Sequence, residues 1–178
     1  KGVYNFNYWT IHQIFPINEN SFYIASNSGV LDFNADNFSY DELPLDFEAL
    51  EINKGLTSLC IERNHLWIGT MSDGLIKYDI NTKRSEIYTY NPLLQEGLSS
   101  NKISSLYYDS TTNYLWIGTF GGGINRYNPD TKQFVHFTED NGLSDNTVQG
   151  ILMDNQHRLW LSTNNGISLY QPAENRFL

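Results

Sequence analysis

One cysteine, Cys60, stands among 178 residues, so neither an intrachain disulfide nor a thiolate zinc cluster can form. That scarcity leaves the compartment open, because a disulfide-free protein serves on either side of a membrane. Basic residues are also few: 11 Lys and Arg face 20 Asp and Glu, a formal net charge of −9. Phosphate backbones repel that sign, so nucleic acid is not an expected partner. No run of 18 apolar residues exists, and no membrane insertion by this segment is expected. The sequence shows no signal-peptide hydrophobic region, and a chain opening on Lys1 reads as a processed protein or an excised piece of a longer one. Alanine and helix-forming runs of Glu, Lys and Gln are scarce, and no window of helix length carries a helical apolar period.

What is present favours strands. Aromatic residues make up 15% of the chain, with 12 Tyr, and asparagine is abundant. Aromatic residues suit pleated surfaces, and Asn suits turns.

An internal repeat then sets the architecture. Leu66-Trp67-Ile68-Gly69-Thr70 recurs as Leu115-Trp116-Ile117-Gly118-Thr119 and as Leu159-Trp160-Leu161-Ser162-Thr163, with a degenerate copy at Phe22-Tyr23-Ile24-Ala25-Ser26. Successive copies are 44, 49 and 44 residues apart, the period of a four-stranded propeller blade. Each copy has the same internal order. A short apolar segment such as Ile103–Leu106 precedes a polar turn, the Trp strand, a Gly-bearing turn such as Gly121-Gly122-Gly123, and two further alternating strands. The expected fold is therefore an all-β propeller segment over residues 1–178, with blades at about 11–44, 56–91, 103–140 and 148–178. In such a fold the Trp of each second strand packs between neighbouring sheets. The blades either close alone or form an open arc, and open edges would recruit another copy.

Gly97-Leu98-Ser99-Ser100-Asn101, followed by Leu115–Thr119 and Gly121–Pro129, resembles the two-component regulator propeller repeat. Gly142-Leu143-Ser144-Asp145-Asn146 through Pro172 is a second match, while the copies at 55–92 and 11–44 are progressively weaker. The resemblance implies seven-bladed propellers, usually in tandem, in the periplasmic sensor region of hybrid two-component histidine kinases. It further implies sensing of oligosaccharides to control polysaccharide utilisation, and dimerisation of the parent sensor.

Strand order places the expected ligand face independently of that resemblance. In an antiparallel meander, the turns between second and third strands share a side with the blade-to-blade connections. Those connections (Leu43 to Asn53, Asn91 to Gly97, Thr138 to Gly142) are the longer loops, and recognition concentrates on loops held by a rigid scaffold. The candidate contacts there are Asn27, Ser28, Met71, Ser72, Asp73, Phe120, Glu139, Asp140, Asn164 and Asn165, with Phe120 able to stack on a sugar ring. Taken singly, each residue reads first as a turn former.

Catalytic chemistry is not expected. His12, His65, His136 and His157 lack metal-ligand spacing, and no cofactor or metal is implied. The glycine-rich stretch 118–123 lacks the following helix of a phosphate cradle. Cys60 aligns with inner-strand apolar positions and reads as a buried small hydrophobe. A propeller-type polysaccharide lyase or glycosidase is the alternative, but it needs two converging carboxylates, and Glu62, Asp109 and Asp154 lie at strand ends on the short-turn side. A protein-interaction scaffold is a third reading.

Overall fold

The computed structural model describes residues 10–53, 55–93 and 97–178. The expected connection through Lys1 to Trp9 and the loop positions Leu94, Gln95 and Glu96 lie outside the described residues. Among the described residues, sixteen strands form four antiparallel sheets, each a simple meander in chain order. Blade 1 holds β1 (Ile11–Pro16), β2 (Ser21–Ser26), β3 (Gly29–Asn34) and β4 (Ser39–Glu42). Blade 2 holds β5 (Leu56–Glu62), β6 (His65–Thr70), β7 (Leu75–Asp79) and β8 (Ser85–Tyr88). Blade 3 holds β9 (Ile103–Asp109), β10 (Tyr114–Thr119), β11 (Ile124–Asn128) and β12 (Gln133–Phe137). Blade 4 holds β13 (Val148–Met153), β14 (Leu159–Thr163), β15 (Gly166–Gln171) and β16 (Arg176–Phe177). The one helical element among the described residues is a 3-10 turn at Glu139–Asn141.

The first strands line the axis, β1 packing on β5, β5 on β9 and β9 on β13. No packing of comparable extent joins β13 to β1, so the described blades form an arc. Three apolar cores fill the spaces between consecutive blades.

Each letter of the repeated pentapeptide has its own physical task. Leu66 and Ile68 point back into the core shared with blade 1, while Trp67 points forward into the core shared with blade 3. This is the two-residue alternation of a strand buried on both faces. The closing Thr is a turn staple. Thr70 Oγ1 donates to Gly74 O (2.8 Å) and accepts from Asp73 N (2.9 Å). Thr119 bonds to Gly123 O and Gly122 N in the same way, and Ser26 and Thr163 repeat the pattern.

The glycine answers a β-bulge that the repeat pattern did not reveal. In every first strand one residue (His12, Thr57, Ser104 or Gln149) is inserted against the second strand. The bulge in β5 brings hydroxyls over Gly69, where an added Cβ would stand 2.5 Å from Ser58 Oγ, 2.7 Å from Ile103 Cγ2 and 2.9 Å from Thr57 Oγ1. Blade 4 inverts the pair. Ser162 replaces the glycine, and its partner across the strands is Gly150 where blades 2 and 3 have Ser58 and Ser105.

Two four-ring clusters repeat between blades: Trp67, Tyr88, Tyr127 and Phe134, then Trp116, Phe137, Tyr170 and Phe177. Trp67 and Trp116 are buried as expected, but Trp160 is only half-buried. The reason is positional, since Trp160 faces the open side of blade 4. Beside it, Leu152 and Ile167 are 64% and 67% exposed, although the matching Cys60 and Leu75 of blade 2 are buried. The other end of the arc is open at Ile14, whose counterpart Leu59 is fully covered.

Candidate functional site

The long-loop face is stitched together by its own turn residues. Asn101 and Asn146, which close the Gly-Leu-Ser-x-Asn lead-ins, act as clamps between blades. The carbonyl of Asn101 accepts from Gly74 N (2.9 Å) of the preceding blade, and its side chain accepts from Tyr90 N (2.6 Å). Asn146 does the same for Gly123 N (2.7 Å) and Glu139 N (3.0 Å). The serine of the motif reaches the next sheet. Ser99 N donates to Asn125 Oδ1 (2.8 Å), and Asn125, fully buried, returns a bond to Ser99 Oγ (2.9 Å). The motif leucines Leu98 and Leu143 seal the cores beneath.

The ten candidate contacts sit on this framework. Asn27 accepts from Thr10 N (2.9 Å) across its turn, and Ser28 N donates to Ser26 Oγ. Ser72 Oγ donates to Asp73 Oδ2 (3.0 Å), and Asp73 also accepts from Asn53 N (3.1 Å). Met71 is exposed, and its amide donates to Gly55 O. Phe120 is half-buried with its amide on Lys102 O. Glu139 Oε1 accepts from Asn146 N (3.1 Å), and Asp140 is exposed in the same 3-10 turn. Asn164 accepts from Gln149 Nε2 (2.7 Å), and Asn165 Nδ2 donates to Ser144 O (3.3 Å). Most of these side chains therefore hold turns, and Ser72 and Asp73 are in direct contact with each other.

A cavity of ≈ 470 Å³ on this face lies further out between blades 2 and 3. It is lined by Tyr90, Pro92, Leu98, Ser99, Gly122, His136 and Thr138, none of them among the ten. The lining His136 has its Nε2 2.7 Å from Gly97 O.

On the opposite face the strand-end carboxylates are each engaged locally. Glu62, almost fully buried, faces His65 Nδ1 (3.2 Å) and Arg63 Nε (3.6 Å). Asp109 accepts from Thr111 N (2.9 Å) and Thr112 Oγ1 (2.6 Å). Asp154 accepts from Trp160 Nε1 (2.8 Å) and Arg158 Nε (2.6 Å), which with two turn amides hold its carboxyl well below the usual carboxylate range. Cys60 is buried, and desolvation pushes its thiol up to about 12, which removes it as a nucleophile near neutrality. No cluster of His, Cys, Asp and Glu suited to a metal occurs among the described residues, and no described helix is long and apolar enough to cross a membrane.

Comparison with known proteins bears on this geometry. The family model described as two component regulator propeller matches residues 97–121 and 142–165, the two segments that contain the clamps and the Trp strands of blades 3 and 4. No curated protein matches the chain. Among solved structures, the extracellular domain of BT4673 from B. thetaiotaomicron, described as a one component system, is 28% identical. That match covers 91% of this chain and 21% of the other, with a TM-score of 0.70. The extracellular domain of BT3049 from the same organism, described as a hybrid two component system, is 17% identical over 94% of this chain and 29% of its own, with a TM-score of 0.65. The computationally designed Ika4 protein is 13% identical, with 92% of both chains covered and a TM-score of 0.64. The last two likenesses are of fold alone. This chain spans between a fifth and a third of the length of the two extracellular domains.

Proposed function

Because the chain carries two-component regulator propeller repeats, we propose that it is a non-catalytic segment of the extracytoplasmic sensor region of a hybrid two-component histidine kinase. In this reading the sensor sits in the periplasm, recognises oligosaccharides and controls polysaccharide utilisation. The carrying observation is the 28% identity with the extracellular domain of BT4673 across 91% of this chain, at a TM-score of 0.70. The site chemistry supports it. Glu62, Asp109 and Asp154 are each tied to their own turns, whereas polar loops on a rigid scaffold suit reversible recognition. The open side of blade 4, where Leu152 and Ile167 are exposed, is where contact within a larger propeller or with a second copy belongs in this reading.

A thermal-shift screen with defined oligosaccharides tests the proposal. A ligand at a hundredfold excess over its Kd adds about 2.7 kcal/mol. For a chain of this length that raises the Tm by roughly 5–11 °C. Sugar-dependent stabilisation with no change in the sugar's chain length supports a sensor. Shortening of the oligosaccharide would replace it with the lyase or glycosidase reading, and a screen without any shift would overturn it.

A further inference from the structure

Between blades 3 and 4, on the short-turn side, the structure leaves a cavity of ≈ 190 Å³ walled by Asp109, Tyr114, Trp116, Arg126, Met153 and Tyr170. Its feature is the charge of Arg126. The guanidinium lies 4.6 Å from the ring centre of Tyr114, 5.5 Å from that of Phe137 and 5.8 Å from that of Trp116. Its Nη1 donates to Tyr170 Oη (2.7 Å) and Asn175 Oδ1 (3.1 Å), both neutral groups, since burial raises the Tyr170 phenol further. Its Nε is buried and has no acceptor. Arg63, Arg158 and Arg176 each pair with a carboxylate, whereas Arg126 has none within ion-pair distance among the described residues. An arginine keeps its charge at any working pH, and a half-buried one without a counter-ion invites an anion.

The same crevice between blades 2 and 3 shows why the space exists. There Lys77 takes the place of Arg126 opposite the Trp, and Tyr108 takes the place of Met153 opposite the leucine. The part-buried Tyr108 fixes its ring by donating to Asn113 Oδ1 (2.7 Å). Met153 is slimmer and fills less of the crevice.

We propose that the blade 3–4 crevice binds a sugar acid, a single pyranose ring bearing a carboxylate. The carboxylate meets the guanidinium of Arg126 where it lines the cavity, the hydroxyls donate to the remaining lone pairs of Asp109, and the ring's apolar face rests on Met153 and Trp116. Three observations select this class. An apolar cavity of about 150 Å³ holds one benzene ring, so this one is of a size to admit one ring. Arg126 presents planar donors, the geometry that carboxylates match. The carboxylate of Asp109 in the same cavity disfavours a doubly charged phosphate group but accepts from hydroxyls. The inference deepens the oligosaccharide-sensing reading and rests on it.

The test is a titration of the whole chain with glucuronate, glucose, benzoate and neutral oligosaccharides, followed by thermal shift and by backbone amide NMR. Glucuronate is expected to raise the Tm and to move amides around Trp116, Arg126 and Met153, with glucose and benzoate at least tenfold weaker. Arg126→Gln should weaken glucuronate at least tenfold. Met153→Tyr, which copies Tyr108, should do the same while leaving the melting temperature of the free protein nearly unchanged, so that lost binding is not lost folding. The proposal is overturned by silence of glucuronate at about 10 mM, tenfold above a millimolar Kd, by equal binding of benzoate, or by unaltered binding in both variants. Neutral oligosaccharide binding with glucuronate silent would overturn this site and keep the sensor reading. Silence of every sugar would overturn both.

Discussion

Gly69→Ala adds one methyl group at a tight point of the blade 2–3 interface. Its Cβ would meet Ser58 Oγ at 2.5 Å, Ile103 Cγ2 at 2.7 Å and Thr57 Oγ1 at 2.9 Å, all closer than real Cβ atoms approach. Two of these groups belong to the bulge of β5, and the third is a fully buried side chain on the next blade, so no single rotation relieves them. Overpacking of a dense core costs about 1–3 kcal/mol, and three simultaneous contacts from two blades place this variant near the upper end. At roughly 2–4 °C per kcal/mol for this chain length, the Tm should fall by about 4–12 °C. Blade 4 supplies the internal control, because there the bulky and empty positions are exchanged between Ser162 and Gly150. Ser58→Gly should therefore rescue Gly69→Ala in part, with a coupling of about 1 kcal/mol between the two sites. Thermal unfolding of the two single variants and the double variant checks this. A Gly69→Ala protein that melts with the wild type, or a double variant whose losses simply add, would refute the account of the pentapeptide glycine.

Two further outcomes follow from the same packing. Trp116→Ala should cost about 3–5 kcal/mol by emptying the four-ring cluster, whereas Trp160→Ala, on the open face of blade 4, should cost only about 1–2 kcal/mol; equal losses in thermal unfolding would mean that the open face is covered. The carboxyl of Asp154 is held below its unfolded value by Trp160 and Arg158, so it stabilises the fold above a pH of about 4 and that contribution disappears as pH falls through the folded value. Asp154→Asn should thus lower the Tm at pH 7, and the gap to wild type should narrow below a pH of about 4; a gap that stays constant with pH would show that the charge is not responsible.

The repeat in the sequence carried the fold because each blade solves the same problem locally. Alternation within Leu-Trp-Ile names the two faces of a doubly buried strand, and the Thr and Gly after it describe a turn closed by its own side chains, as at Thr70 and Gly74. Those relations span a few residues, so one sequence displays them. The long-loop face was legible as a position, but its ten residues were ambiguous, because Asn and Asp serve hydroxyl recognition and turn closure with the same atoms. Only the tertiary structure separates these uses, for instance by showing Asp73 occupied by Asn53 and Ser72.

Relations between blades were decided by tertiary structure alone. The bulge opposite each pentapeptide, the exchange of Ser58/Gly69 for Gly150/Ser162, and the half-exposure of Trp160 all depend on which strand or sheet stands opposite. The cavity at Arg126 is of the same kind. Its arginine, two tyrosines and methionine come from β10, β11, β13 and β15, strands whose side chains meet only when two sheets pack face to face. A sequence ranks residues by their neighbours along the chain, and the space between two blades is bounded by residues more than forty positions apart, as Arg126 and Tyr170 are. The chain by itself therefore determined the blades; their packing decided which charge was left without a partner and how much room stood beside it.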